Sequence, residues 1–202
     1  DRGTAQAGEI RIGDRNFARV PALKRFLAEA CGQADFIVRV GWNALQLSTP
    51  RGKPFDLISY LQRLPSGMRP RETILRAADV RRQAALPLRL IVQRKTPEAA
   101  EATRLALRRA AIKKGKKLDP RSLIAAEFMM LVTSLPSKGY AAKDILAVYR
   151  LRWQIELARQ REARVGREPG LQLHRAFGRK VGRDTGEFHH RRQRGRDVGD
   201  VG

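Results

Sequence analysis

Two stretches of this 202-residue chain hold side chains whose types and spacing suit chemistry at a metal or a phosphate. The first is Gly13-Asp14-Arg15-Asn16-Phe17-Ala18, which sets an acid directly after Glu9 to Gly13, a segment with Ile10 and Ile12 on one face. That alternation predicts a short strand with Asp14 at its C-terminal end. The second is Tyr149-Arg150-Leu151-Arg152-Trp153-Gln154-Ile155-Glu156. In a helix, positions i, i+3 and i+7 fall within an arc of roughly 60°, so Tyr149, Arg152 and Glu156 make one stripe. A carboxylate at a strand end and another on a helix packed against the same sheet can share a divalent ion. Mg2+ suits such a site because it takes a few carboxylates and completes its shell with water and substrate phosphate oxygens. A pair of such ions can activate an attacking oxygen and stabilise the leaving one in an in-line displacement at phosphorus. Taken alone, the Tyr-x-x-Arg-x-x-x-Glu stripe also fits the edge of an ordinary amphipathic helix.

The elements that would carry these residues can be read from periodicity. Asn16 to Ala30 predicts a helix with Phe17, Leu23, Phe26 and Leu27 as its buried stripe. Asp35 to Trp42 predicts a strand, with Phe36, Val38, Val40 and Trp42 on one face, and Asn43 to Leu47 as its pairing candidate. Thr49 to Pro54 is turn chemistry. Phe55 to Leu64 reads as a short helix closed by Pro65, while Thr73 to Ala78 and Leu86 to Lys95 read as strands. Pro97 to Lys117 predicts a helix with Pro97 and Glu98 at its start and lysines at its end, a charge order that complements the helix dipole. A solvated helix end accounts for those lysines as well as a DNA contact does. Phe128 to Leu135 is nearly all apolar, as a central strand buried on both faces would be, and Tyr140 to about Glu162 predicts a long helix. The strand ending at Asp14 is expected beside the strand at 128–135, with the Glu156 helix packed on that sheet and the two carboxylates within about 10 Å.

Composition bounds the partners. Lys and Arg number 42 against 20 Asp and Glu, a formal charge of +22. A surface that positive attracts polyanions, nucleic acid first. Apolar residues make up 42% of the chain, enough for a real core. Cys31 is alone, which excludes an intrachain disulfide and a cysteine metal site. The longest apolar run, Ile124 to Val132, is too short to span a bilayer and contains Glu127. The chain opens on Asp1 without Met or a signal-peptide pattern, so the expectation is a soluble, cytoplasmic protein lacking upstream sequence. From Arg159 onward Arg, Gly and His dominate and hydrophobic periodicity disappears, so the tail is expected to lack stable order.

Four blocks carry a resemblance. The sequence resembles the insertion-sequence transposases of the DDE class, in the group called IS-four. They are similar at Gly-Asp-Arg-Asn-Phe-Ala (13–18), where that family typically has Gly-Asp-Arg-Gly-Tyr-Ala. The likeness continues through Ala-Asp-Phe-Ile-Val-Arg-Val-Gly-Trp (34–42), Leu-Val-Thr-Ser-Leu-Pro (131–136) and Tyr-Arg-Leu-Arg-Trp-Gln-Ile-Glu (149–156). It implies an α/β fold: a partial ribonuclease-H-like core with a mostly β insertion. The core would comprise residues 1–33 and 128–158, the insertion 34–127, and the basic tail 159–202. The resemblance further implies that Asp14 is the second catalytic Asp and Glu156 the catalytic Glu, both metal ligands, and that Mg2+ is the cofactor. Tyr149 and Arg152 match the Tyr and Arg of the family's Tyr-(2)-Arg-(3)-Glu-(6)-Lys motif. Arg152 would hold a DNA phosphate, a task suited to its planar fork.

The chain departs from that pattern in two places. The family's first catalytic Asp belongs well upstream of the second, and Asp1 matches no family position. The motif's Lys should fall at 163, where this chain has Ala163. After Ala158 the resemblance stops, as a frameshift in GC-rich DNA would make it, with an evolved basic DNA-binding arm as the other reading. The expected function is DNA transposition by cleavage and strand transfer on double-stranded DNA, at transposon ends and target. A dimer on DNA and a nucleoid location go with that function. This chain itself is expected to bind DNA through charge without cutting it. The alternatives are a non-catalytic basic nucleic-acid-binding protein and a ribonuclease-H-like nuclease.

Overall fold

The computed structural model describes residues 5–78 and 85–165. Two compact units divide the chain, Asp1–Trp153 and Gln154–Gly202. The first holds a six-stranded sheet in the order β1-β2-β6-β5-β4-β3. Its strands are β1 (Ile10–Gly13), β2 (Asp35–Arg39), β3 (Gln46–Ser48), β4 (Arg71–Ala78), β5 (Leu86–Arg94) and β6 (Phe128–Thr133). The helices are α1 (Val20–Glu29), α2 (Leu57–Arg63), α3 (Pro97–Lys113), α4 (Pro120–Ala125) and α5 (Ala142–Val165). An α/β fold is what the periodicity predicts. The second unit contributes the last part of α5 to the described residues, and the rest of the basic tail, 166–202, lies outside them.

The alternation of β2 sends Phe36 and Val38 to one side and Ile37 to the other. Both faces are therefore covered, which makes β2 an interior strand. On the first face α1 contributes Val20, Leu23 and Phe26, α2 contributes Leu57 and Leu61, and α4 contributes Ala125. On the second, Ile37, Ile91, Leu131 and Leu135 meet Ile145, Leu146 and Tyr149 of α5. Leu90, Ile91, Leu131 and Val132 are completely enclosed. Each such side chain contributes about 1.5–3 kcal/mol relative to leaving it in water, so the β5–β6 centre anchors the sheet.

Three local expectations are corrected. The helix over 16–30 is broken: a 3-10 turn at Arg15–Phe17 precedes α1, which starts at Val20 with Pro21 in its first turn. Proline lacks the N–H that a continuing helix would need and its ring clashes with the preceding turn. Residues 43–47 do not pair with β2. Instead β3 pairs antiparallel with β4, because β2 already has β1 on one side and β6 on the other. For the same reason β1 does not lie beside β6; β2 intervenes, paired parallel to β1 across the α1 crossover. A helical crossover is what lets two neighbouring strands run parallel, and α1 supplies it between β1 and β2.

The Leu-Val-Thr-Ser-Leu-Pro block turns out to be a lock between strands. The Thr133 hydroxyl donates to the Phe36 carbonyl at 2.5 Å and accepts from the Leu135 N–H at 3.1 Å. Ser134 Oγ accepts from the Phe36 N–H at 3.0 Å and donates to Asp35 Oδ1 at 2.7 Å. Arg89, 2% exposed, donates to the carbonyls of Leu135 and Pro136 and pairs with Glu72 at 2.6 Å. A buried charge so fully bonded fixes the register of β4, β5 and the end of β6. Helix α3 ends at Lys113 rather than Lys117, because Gly115 takes φ +59°, a left-handed conformation that stops the helix.

Candidate active site

β1 and β2 are parallel, and both are antiparallel or linked through an antiparallel partner to β6, which in turn pairs antiparallel with β5. The C-terminal ends of β1, β2 and β5 therefore point the same way. They bring Asp14 and Arg15, then Arg39, then Lys95 to one edge of the sheet. With Gly13 opposite Val38, Asp14 sits one position past the last β1–β2 pair and level with Arg39.

The turn after β1 is built to hold Asp14. Its backbone is extended, φ −83° and ψ −172°, and its Oδ1 accepts the Asn16 N–H at 2.8 Å, capping the 3-10 turn. Gly13 is obligatory: a Cβ there would stand 2.8 Å from Cβ of Phe17. The second carboxylate oxygen accepts no hydrogen bond or ion pair among the described residues. A half-buried carboxylate with one oxygen committed to the backbone and one uncommitted suits a single ligand position on a hard divalent ion. No group of three or more His, Cys, Asp or Glu stands together among the described residues.

Helix α5 reaches this edge. Ile145, Leu146 and Tyr149 fix it over the second face of the sheet, and Arg150 donates to Gln93 Oε1 of β5 at 2.5 Å. Tyr149 is 2% exposed and interacts electrostatically with Arg15, the residue after Asp14. Tyr149 therefore lies near the turn that bears Asp14, and half-buried Arg152 follows three residues later on α5. Glu156 belongs to the second unit and its side chain lies outside the described residues, as does that of Ala163.

Sequence reasoning did not single out the other cations of this edge. Arg15 has its guanidinium pKa lowered, first by desolvation and then by Arg39, with Tyr149 opposing. Much of Arg15 still meets solvent, so the direction is all that follows. Lys95 falls from 10.5 to about 8, first through burial, then through Arg39 and Arg15. Its ammonium donates to Thr103 Oγ1 at 2.9 Å and to the Ala126 carbonyl at 2.8 Å. The signal that could have found this group was strand direction, which periodicity does not give.

The family described as the transposase DDE domain matches residues 3–161. The chain belongs to that family. A putative transposase InsL for insertion sequence element IS186A of Escherichia coli K12 is 39% identical over 163 residues, covering 80% of this chain and 44% of the relative. The transposase for insertion sequence element IS421 of Escherichia coli is also 39% identical over 163 residues, covering 80% of this chain and 43% of the relative. The chain spans less than half the length of these curated relatives. As a transposase DDE domain of bacterial insertion-sequence type, it joins a sheet edge carrying an acid to a helix carrying the Tyr-x-x-Arg stripe.

Proposed function

We propose that the chain is part of a DNA transposase, in which Asp14 and Glu156 serve as two of three acids that hold Mg2+ for cutting and joining DNA. The observation that supports this reading is the electrostatic interaction of buried Tyr149 with Arg15, the residue that follows Asp14. The metal would supply charge neutralisation at the scissile phosphate and lower the pKa of an attacking water. Asp14 offers it one uncommitted oxygen and Glu156 would offer the next. Arg152 orients a phosphate by charge-assisted hydrogen bonds, and Tyr149 holds α5 in place from inside the core. A ribonuclease-H-like core is compatible with a mixed sheet in which β1 is an edge strand, although β2 to β5, from the 34–127 segment, continue that same sheet. A first core strand with the remaining acid would pair along that edge, either from the rest of the whole protein or in a dimer on DNA. Within these 202 residues the family pattern assigns two acids, so the chain by itself binds duplex DNA without cutting it.

The test is Mn2+ binding followed by electron paramagnetic resonance, with a duplex carrying the element's ends present. Wild type should bind Mn2+, and Asp14→Asn should weaken it at least about tenfold while leaving the fold intact, because Asn caps a turn as well as Asp. Equal Mn2+ binding by wild type and Asp14→Asn would remove Asp14 from the site. Metal-dependent nicking by the unaltered chain that vanishes in Glu156→Ala would show a third acid within it.

A further inference from the structure

Some arginines among the described residues are matched with acids. Arg11 pairs with Glu9, Arg89 with Glu72, Arg108 with Glu101 and Arg121 with Asp119, while Arg94 and Arg104 share Glu127. Arg15, Arg39 and Lys95 lie close to one another without such a match. Among the described residues none of them has an ion-pair partner, although each lies within electrostatic reach of the other two. Three elements that are distant in sequence converge to make the group: the turn after β1, the end of β2 and the residue after β5. On β2, Arg39 alternates with Ile37, which puts it on the face that α5 covers. Lys95 is partly buried and tied down by two neutral acceptors, Thr103 Oγ1 and the Ala126 carbonyl.

Like charges gathered in a partly desolvated place destabilise the folded state, and a protein keeps such an arrangement where an anion relieves it. We propose that Arg15, Arg39 and Lys95 form a seat for a phosphodiester of the DNA backbone, beside Asp14 at the same sheet edge. The proposal rests on the reading of that edge as the place where DNA runs, and it names the groups that hold the strand there. A backbone phosphate carries a single negative charge and several acceptor oxygens, so it can meet two guanidinium forks and an ammonium at once. The proton affinity of Lys95 is lowered first by its burial and then by Arg39 and Arg15, so the two guanidinium groups add to the cost of its charge. A seated phosphate offsets that cost. The lysines after α3 offer a contrast. Lys113, Lys114, Lys116 and Lys117 are exposed at a helix end.

The experiment is duplex binding by fluorescence anisotropy across a salt series, with no divalent metal. Three variants are compared with wild type: the double Arg39→Gln, Lys95→Gln, the charge-keeping Arg39→Lys, and a quadruple Lys→Gln at 113, 114, 116 and 117. The double variant should bind about tenfold or more weakly at moderate salt, with the slope of log affinity against log salt flattened by about 2. Arg39→Lys should keep the wild-type slope. Relief of repulsion should leave the melting temperature of the double variant equal to or above wild type, which separates lost binding from lost folding. Wild-type affinity and slope in the double variant would overturn the seat while leaving DNA binding by the domain intact. An equal loss per charge removed in the quadruple variant would also overturn it, since bulk charge would then suffice. Wild type failing to bind duplex at all would sink the reading beneath it instead.

Discussion

At the scale of single residues, Asp14 spends one oxygen on the Asn16 N–H, and Arg39, level with it on the next strand, makes no ion pair among the described residues. Lys95 has its pKa reduced to about 8 from 10.5, first by burial and then by Arg39 and Arg15. The charged groups around it are Arg15 and Arg39 toward the site, and Arg94, Arg104 and Glu127 around the adjoining pocket. The sign of its pH effect follows from proton counts. Between pH 8 and 10.5 the unfolded chain holds this proton while the folded protein releases it. Stability from this group therefore rises with pH across that window and is unchanged below it. Urea midpoints at about pH 7.5 and 9.5, compared with those of Lys95→Gln, should show the rise in wild type and its loss in the variant. No difference between the two would mean that Lys95 is better solvated than its surroundings imply.

At the scale of elements, it is the sheet rather than the helices that positions the strand end bearing Asp14. β2 closes against β1 by the α1 crossover and against β6 through Thr133 and Ser134, so three strand ends share one edge. Arg89 secures the far side of that arrangement, bonding Glu72 of β4 and the carbonyls that follow β6. Replacing Arg89 with Ala should cost about 3 kcal/mol, because it strips two carbonyls and a carboxylate of their donor. Denaturant unfolding would measure it, and a loss under about 1 kcal/mol would mean that water takes over those bonds. The strands and their inward faces were legible in the sequence because alternation records burial directly. Phe36, Val38 and Val40 face one core as read, and Ile37 the other. The break before Pro21 was missed because apolar spacing carried the helix pattern across it. Helix α4 was missed although Asp119 and Pro120 form an N-terminal capping pair, because six residues are too few to show a period.

At the scale of the whole molecule, a charge of +22 dominates encounter with any polyanion. Among the described residues no helix is long and apolar enough to cross a membrane. Duplex DNA affinity should fall about a hundredfold or more between roughly 50 and 200 mM salt, because displaced counterions drive such binding. Filter binding on unrelated duplexes would test this, and affinity insensitive to salt would rule out a backbone-directed mode. The residues 34–127, expected as an insertion, run through the same sheet as 10–13 and 128–133 and belong with them to one compact unit.

The sequence by itself determined what each residue could do and which face of its own element it would occupy. Asp14 at a strand end, the Tyr149–Arg152 spacing and the apolar run of β6 all follow from local periods of two and 3.6 residues. Only the tertiary structure decided strand order and direction, since these depend on which backbone edges pair and which remain free. That choice put β2 between β1 and β6, sent β3 to β4, and gathered Arg15, Arg39 and Lys95 from residues up to eighty apart. No local period can encode such a meeting, because its cause is the pairing of backbone edges rather than the pattern along any one of them.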